Sequence, residues 1–244
     1  MAHYFCHAHP ETLILETTVE DARPGRVALA ETPFYPGGGG QPADLGVLRH
    51  AGGQVAVVGF EQAEGRSWHL LAEELELAGT LEAVVDAGFR STMRQLHTDT
   101  HILNALVYQA FDGALVTGVQ MYADGTARMD FDIPGADSER LRALEAPINE
   151  VIGQDLPVGF DYVDVETAQA RHGLIRSRSV APPPTPDGLI RIVEIAGLDR
   201  QACGGTHLAS TGGSLPVRIL KIDNKGRHNR RVRIGLLGHP GVPG

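Results

Sequence analysis

His97 and His101 stand four residues apart in the run Leu96-His97-Thr98-Asp99-Thr100-His101, and Cys203-Gly204-Gly205-Thr206-His207 supplies a second pair of metal-type side chains. On a helix, side chains at i and i+4 point the same way one turn apart, so both imidazoles can reach one ion. With two Cys and 11 His in 244 residues, a Cys-x3-His spacing arises by chance only roughly 0.1 times, and its conjunction with the His pair defines a candidate site. Nitrogen and sulfur donors of this kind select zinc in tetrahedral geometry, one ion per chain. Four protein donors would close the shell, whereas hydrolysis by metal-activated water needs an open position. Two other readings use the same residues: Cys203 as a nucleophile with one of the histidines as its proton acceptor, or buried histidines that satisfy hydrogen bonds around a Gly204-Gly205 turn. His3, Cys6, His7 and His9 fit the same spacing template but lie at a chain terminus, where order is poorest.

The second unusual segment is Tyr35-Pro36-Gly37-Gly38-Gly39-Gly40-Gln41-Pro42-Ala43-Asp44. Consecutive glycines admit backbone conformations closed to other residues and expose N–H groups to a ligand, which makes Gly38, Gly39, Gly40 and Gln41 candidate substrate contacts. It is not a P-loop, because no Gly-Lys-Ser/Thr follows and Pro42 opposes a helix start there. A tight strand-to-strand connection is the plainer alternative.

Elements must position these residues. Short apolar runs at 13–19, 26–30, 45–50, 55–60 and 81–85, broken by Gly, Pro and Asp, predict a small antiparallel sheet or barrel. After Gly88 the period changes: Leu96, Thr100, Leu103, Val107 and Ala110 form the stripe of an amphipathic helix over 90–111, with His97 and His101 at the margin of its buried face. Strands are predicted at 115–122 and 126–132 around an Asp124-Gly125 turn, then at 158–164, 189–195, 217–222 and 231–237. A helix over 138–152 should end or kink at Pro147, and 182–186 reads as a proline-rich loop. Helices interspersed with hairpins predict an α+β fold, with a β-rich unit at 1–88 and an α+β unit at 89–244.

The composition, 42% hydrophobic, suits a globular protein with a core, and no apolar run reaches 18 residues, so no membrane span is expected. The start of the chain shows no signal-peptide pattern, and the expected location is cytoplasmic. The net charge of -9 is uneven: residues 1–88 carry 4 Lys+Arg against 13 Asp+Glu, while 89–244 balance 17 against 17. Within 218–233, seven cations face the single acid Asp223. That stretch, with Arg230 and Arg231, is a candidate phosphate contact. A solvated strand edge kept from pairing by its cations is the alternative.

Together, His97-x3-His101, Cys203-Gly204-Gly205-Thr206-His207, Arg128-x-Asp130-Phe131 and Lys225-Gly226-x3-Arg230-Arg231 resemble the editing domain shared by alanyl-tRNA synthetase and the freestanding alanyl-tRNA editing proteins of the AlaX type. The Gly37 to Asp44 motif is similar to that of the longer AlaX forms. The resemblance implies hydrolysis, in trans, of the ester joining a wrong amino acid, chiefly serine and secondarily glycine, to the alanine tRNA. It implies zinc on His97, His101, Cys203 and His207, and tRNA as the partner. By similarity Thr117 falls where a polar residue meets the amino-acid side chain, and Gln120 is the neighbouring candidate for that role. Arg90 and Arg94 are expected to join the 218–233 segment against the RNA. A catalytically silent tRNA-binding module and a zinc hydrolase of another ester are the competing functions.

Overall fold

The computed structural model describes residues 4–135, 138–170, 173–174, 176, 185 and 188–243. They form two compact units: 1–38 with 42–91, and 39–41 with 92–244. The proline-rich loop expected at 182–186 lies, except for Thr185, outside the described residues, as does His3.

The first unit begins with the short helix α1 (Phe5–Ala8) and continues with strands β1 (Ile14–Arg23), β2 (Arg26–Leu29), β3 (Gly46–His50), β4 (Gly53–Ala63), β5 (Arg66–Leu71) and β6 (Thr80–Val85). These strands close an antiparallel barrel in the order β1-β2-β5-β4-β3-β6. Alternation along β6 turns Leu81, Ala83 and Val85 inward to meet Val27, Leu48, Val55 and Val57, the inward-facing apolar set that a barrel requires. Strand β5 is absent from the sequence-based expectation because Arg-Ser-Trp-His carries no apolar alternation. Its Trp68 is nevertheless fully buried, with Arg23 and Arg26 guanidinium groups 5.0 and 4.9 Å from the ring centre. On the other face of β5, His69 sits against Phe34 and Phe60 and shares a 2.7 Å hydrogen bond between Nε2 and Thr32 Oγ1.

Asp44, which ends the glycine-rich motif, is fixed in this unit by a buried ion pair. Arg90 Nε donates to its Oδ1 at 3.0 Å, Arg90 also donates to Pro33 O at 2.8 Å, and the Tyr35 N–H donates to Asp44 Oδ2 at 2.6 Å. Arg90 is 1% exposed. The expectation that it meets RNA is therefore overturned: its charge is spent on Asp44.

Helix α2 runs over Ala87–Ala110. The four-stranded antiparallel sheet that follows has the order β12-β13-β8-β7, from β7 (Val116–Met121), β8 (Thr126–Asp132), β12 (Val217–Lys225) and β13 (Asn229–Leu236). Strands β9 (Val158–Asp164), β10 (Leu189–Ile195) and β11 (Asp199–Ala202) form a second antiparallel sheet in the order β11-β10-β9. The predicted helix over 138–152 is two helices, α3 (Ser138–Arg142) and α4 (Glu145–Gly153). The break falls before Glu145, so Pro147 occupies the first turn of α4, where its missing N–H would have had no partner in the helix. Asn149 of α4 ties the start of β12, accepting from Val217 N and donating to Val217 O at 2.8 Å each. A further short helix, α5 (Val165–Ala170), follows β9 and packs Ala168 on Ile190 and Ile192. The α+β architecture and the barrel match the expectation. No helix among the described residues is long and apolar enough to cross a membrane.

Burial holds His69 neutral, pushing its pKa from 6.5 down to about 4, so the unfolded chain binds the extra proton between these values. Its contribution is complete above pH 6.5 and lost as pH falls toward 4, which predicts a loss of roughly 3 kcal/mol over that window. Urea unfolding at stepped pH should show this slope, and a His69→Asn variant should flatten it.

Candidate metal centre

Helix α2 was expected to be amphipathic, with the two histidines at the edge of its buried stripe. Instead every residue from 96 to 105 is buried. The polar residues in this stretch take partners from the rest of their unit. Ser214 donates to Asp99 Oδ2 at 2.8 Å, Asn104 donates to Gln201 Oε1 at 3.0 Å, and Thr98 Oγ1 accepts from Leu208 N at 3.1 Å. His97 and His101, 4% and 7% exposed, converge with Cys203 and His207. Their donor atoms all lie within 4.8 Å of one another, and this is the one such group of three or more among the described residues. Among the described amino-terminal residues, Cys6, His7 and His9 form no second group: His7 packs on the Tyr4 and Tyr35 rings, and His9 on Phe5.

Each imidazole is oriented by a partner on its Nδ1. His97 Nδ1 donates to Gln41 Oε1 at 2.8 Å, His101 Nδ1 faces Asp199 Oδ2 at 3.3 Å, and His207 Nδ1 faces Thr98 Oγ1 at 3.3 Å. Asp199 is itself held by Gln201 Nε2 at 2.6 Å and Arg176 Nη1 at 2.8 Å. Cys203 Sγ then lies 3.3 Å from both His97 Nε2 and His207 Nε2. A tetrahedral ion with zinc-type bond lengths places neighbouring donors roughly 3.3–3.6 Å apart, so these residues can hold a metal. Partners on the non-ligating nitrogen are what metal-binding histidines require to fix tautomer and ring direction.

Electrostatics favour the ligating form of the sulfur. Burial would push the Cys203 thiol up, but the surrounding His97, His207 and His101 hold it well below the ordinary thiol value. Burial also opposes the His101 imidazolium, yet Cys203 and Asp199 prevail and push it up to about 9, while burial and His97 keep His207 well below the usual imidazole value.

The Cys203–His207 turn is shaped by its glycines. A Cβ on Gly205 would overlap the His97 ring and approach Gln41 Oε1 to 2.9 Å. Gln41 closes the arrangement: its Oε1 also accepts from Thr206 N at 3.0 Å, and its Nε2 donates to Thr206 Oγ1 at 2.8 Å. Residues 37 to 40 all have positive φ, so only glycine fits this path without strain. Gly40 O accepts from Met121 N at 2.9 Å, and a Cβ on Gly40 would overlap the Val119 carbonyl. Gln41 thus meets a candidate metal ligand directly, whereas Gly38 accepts from the Tyr35 hydroxyl at 3.2 Å and Gly39 has open space about its α-carbon.

Thr117 and Gln120 lie half-buried on β7, the first donating to Asn229 Oδ1 at 3.3 Å and the second to Met121 O at 3.2 Å. Arg231 chelates Asp130 at 2.6 and 2.7 Å, and Arg230 is 9% exposed. Lys225 and Arg227, by contrast, are exposed at the tip of the β12–β13 hairpin. Arg94, expected against RNA, donates from Nε to His207 O at 2.7 Å and so braces the metal-side turn. Thr98, Asp199 and Gln201 join the site without having been legible as functional residues in the sequence. Asp199-x-Gln201-x-Cys203 does carry a strand-like alternation that could have placed all three on one face.

A family model described as the threonyl and alanyl tRNA synthetase second additional domain matches residues 190–233. The chain is 34% identical to the alanyl-tRNA editing protein AlaX-M of Methanosarcina mazei over 233 residues, covering 91% of each. It is 34% identical to the AlaX-M protein of Saccharolobus solfataricus, over 84% of this chain and 86% of that one. Similarity to the alanine–tRNA ligase of Korarchaeum cryptofilum is 33% over 86% of this chain but 23% of the ligase.

Removing the partner of one ligand should weaken the site without abolishing it. A Gln41→Ala variant is expected to lose about tenfold or more in affinity for added Zn(II) or Co(II) in chelator competition, while Gln41→Glu, which still accepts from His97, retains most of it.

Proposed function

This chain belongs to the AlaX-M family of alanyl-tRNA editing proteins, and from that premise we propose that it is a zinc-dependent deacylase that removes wrongly attached serine, and secondarily glycine, from the alanine tRNA. The observation that carries the reading is the buried convergence of His97, His101, Cys203 and His207, with a partner on Nδ1 of every imidazole.

His97, His101 and His207 would bind zinc through Nε2 and Cys203 through Sγ. Bound zinc supplies Lewis-acid polarisation and an anchor for the aminoacyl end of the substrate. The chain's own residues do the rest. Gln41, Asp199 and Thr98 on the Nδ1 atoms would orient each ring so that Nε2 turns toward the ion, which on binding displaces the proton that His101 otherwise keeps there. Arg191 donates to Cys203 O at 3.1 Å and Gly205 O at 3.0 Å, holding the turn that carries two of the donors. Thr117 or Gln120 would supply the hydroxyl or amide that pairs with the serine side chain; a site built on such a bond favours serine over an amino acid lacking the hydroxyl, which ranks glycine second. We assign RNA backbone contact to Lys225 and Arg227, since Arg231 is engaged with Asp130. Convergence of all four donors also suits a structural ion with a closed shell, the feature that favours a silent tRNA-binding module as the second reading.

Purified protein should release serine rapidly from seryl-tRNA for alanine and spare alanyl-tRNA, and Cys203→Ala should lower the rate by about a hundredfold or more. Metal and tRNA binding without release would favour the module. A Lys225→Gln, Arg227→Gln double variant should bind tRNA more weakly at low salt, with a slope of log affinity against log salt shallower by about 1–2.

A further inference from the structure

The β11-β10-β9 sheet carries one face toward the metal centre. Register places Tyr162 opposite Arg191 and Phe160 opposite Val193, while Gln201 stands opposite Val193 on the other side. Cys203 N donates to Arg191 O at 3.1 Å, continuing the alternation one step past β11. Side chains directly opposite across strands share a face, so Cys203, Arg191 and Tyr162 form one row and Gln201, Val193 and Phe160 the next. The opposite face, with Val163, Ile190, Ile192 and Ala202, is filled by Ala168 of α5 and Leu174.

Along this face, burial changes abruptly. Gln201 is 7% exposed and Val193 1%, but Phe160 on the edge strand β9 is 44% exposed, although it is a large apolar ring. Its neighbours make it a platform rather than an isolated surface residue. The Arg191 guanidinium lies 4.9 Å from the Phe160 ring centre, and the Tyr162 ring meets it edge-on at 6.0 Å. The same guanidinium grips the Cys203 and Gly205 carbonyls. The ring and the metal-binding turn are therefore braced by one side chain.

From these observations we infer that Phe160, backed by Arg191 and edged by Tyr162, is the stacking platform for the base of the terminal nucleotide of the aminoacylated RNA. The proposal rests on the deacylase reading, which places the ester at the metal centre. Two strand spacings, about 10 Å, separate the Cys203 and Tyr162 positions, leaving room for the ribose between an ester at one end and a base at the other. An exposed aromatic ring beside a guanidinium plane is the surface that unpaired bases stack on, with little regard to base identity.

The test compares wild type with Phe160→Ala, Phe160→Leu and Phe160→Trp. Three quantities are measured: seryl-tRNA hydrolysis, zinc content, and affinity for a stable probe, adenosine bearing serine through a 3′-amide, alongside the same probe without its base. Phe160→Ala and Phe160→Leu should raise KM and the probe Kd about tenfold, leave kcat within about twofold, and keep full zinc content. Phe160→Trp should restore binding, and the baseless probe should not distinguish the variants. An unchanged probe Kd in Phe160→Ala, or an equal loss for the baseless probe, would overturn the platform. If wild type hydrolyses seryl-tRNA without dependence on Phe160, only the platform falls. If it binds the probe through Phe160 yet hydrolyses nothing, the deacylase reading falls and the platform stands.

Discussion

Three imidazoles and a thiol cannot be brought together in the interior unless each has somewhere to place its polar atoms. That requirement organises the second unit. A buried nitrogen without a partner costs about 1–3 kcal/mol, and here the Nδ1 atoms are met by Gln41, Asp199 and Thr98. Those partners come from three different segments of the chain, so the local geometry of the metal ligands and the packing of the unit are a single problem. Asp199 extends the chain of dependence outward through Gln201 and Arg176.

The same requirement accounts for residues that do no chemistry. Gly205 leaves room for the His97 ring, and Arg191 and Arg94 restrain the turn around it by its backbone carbonyls. A turn fixed by side chains at both ends keeps Cys203 and His207 together before any ion arrives, and a metal that finds its donors already arranged loses less binding energy to their ordering. In the first unit an analogous economy operates at Asp44, whose buried carboxylate is answered by Arg90 and by the Tyr35 N–H.

Charge is distributed in keeping with the proposed division of labour. The whole net charge of -9 resides in residues 1–88, while in the second unit Lys221, Lys225, Arg227 and Arg233 are exposed along the β12–β13 hairpin. Several other cations of the 218–233 segment hold the sheet together, Arg231 through Asp130 being the clearest case. A count of Lys and Arg in a segment therefore overstates the charge available to a phosphate backbone.

The sequence by itself determined the four candidate donors, the long helix, the barrel and the α+β class. Each is written in a local repeat: i, i+4 spacing on a helix, a Cys-x3-His turn, or apolar alternation along strands. Tertiary structure decided everything that depends on what surrounds a residue. Arg90 reads as a free cation until Asp44 is found beside it, and Pro147 as a helix breaker until the helix is seen to start just before it. Strand β5 is hidden because the burial of Trp68 comes from arginines on β1 and β2. Gln41 becomes the partner of His97, 56 residues away, only when the chain has folded. The physical reason is the range of the forces: backbone geometry repeats over a few residues, whereas hydrogen bonds and desolvation act between whatever groups the fold makes neighbours.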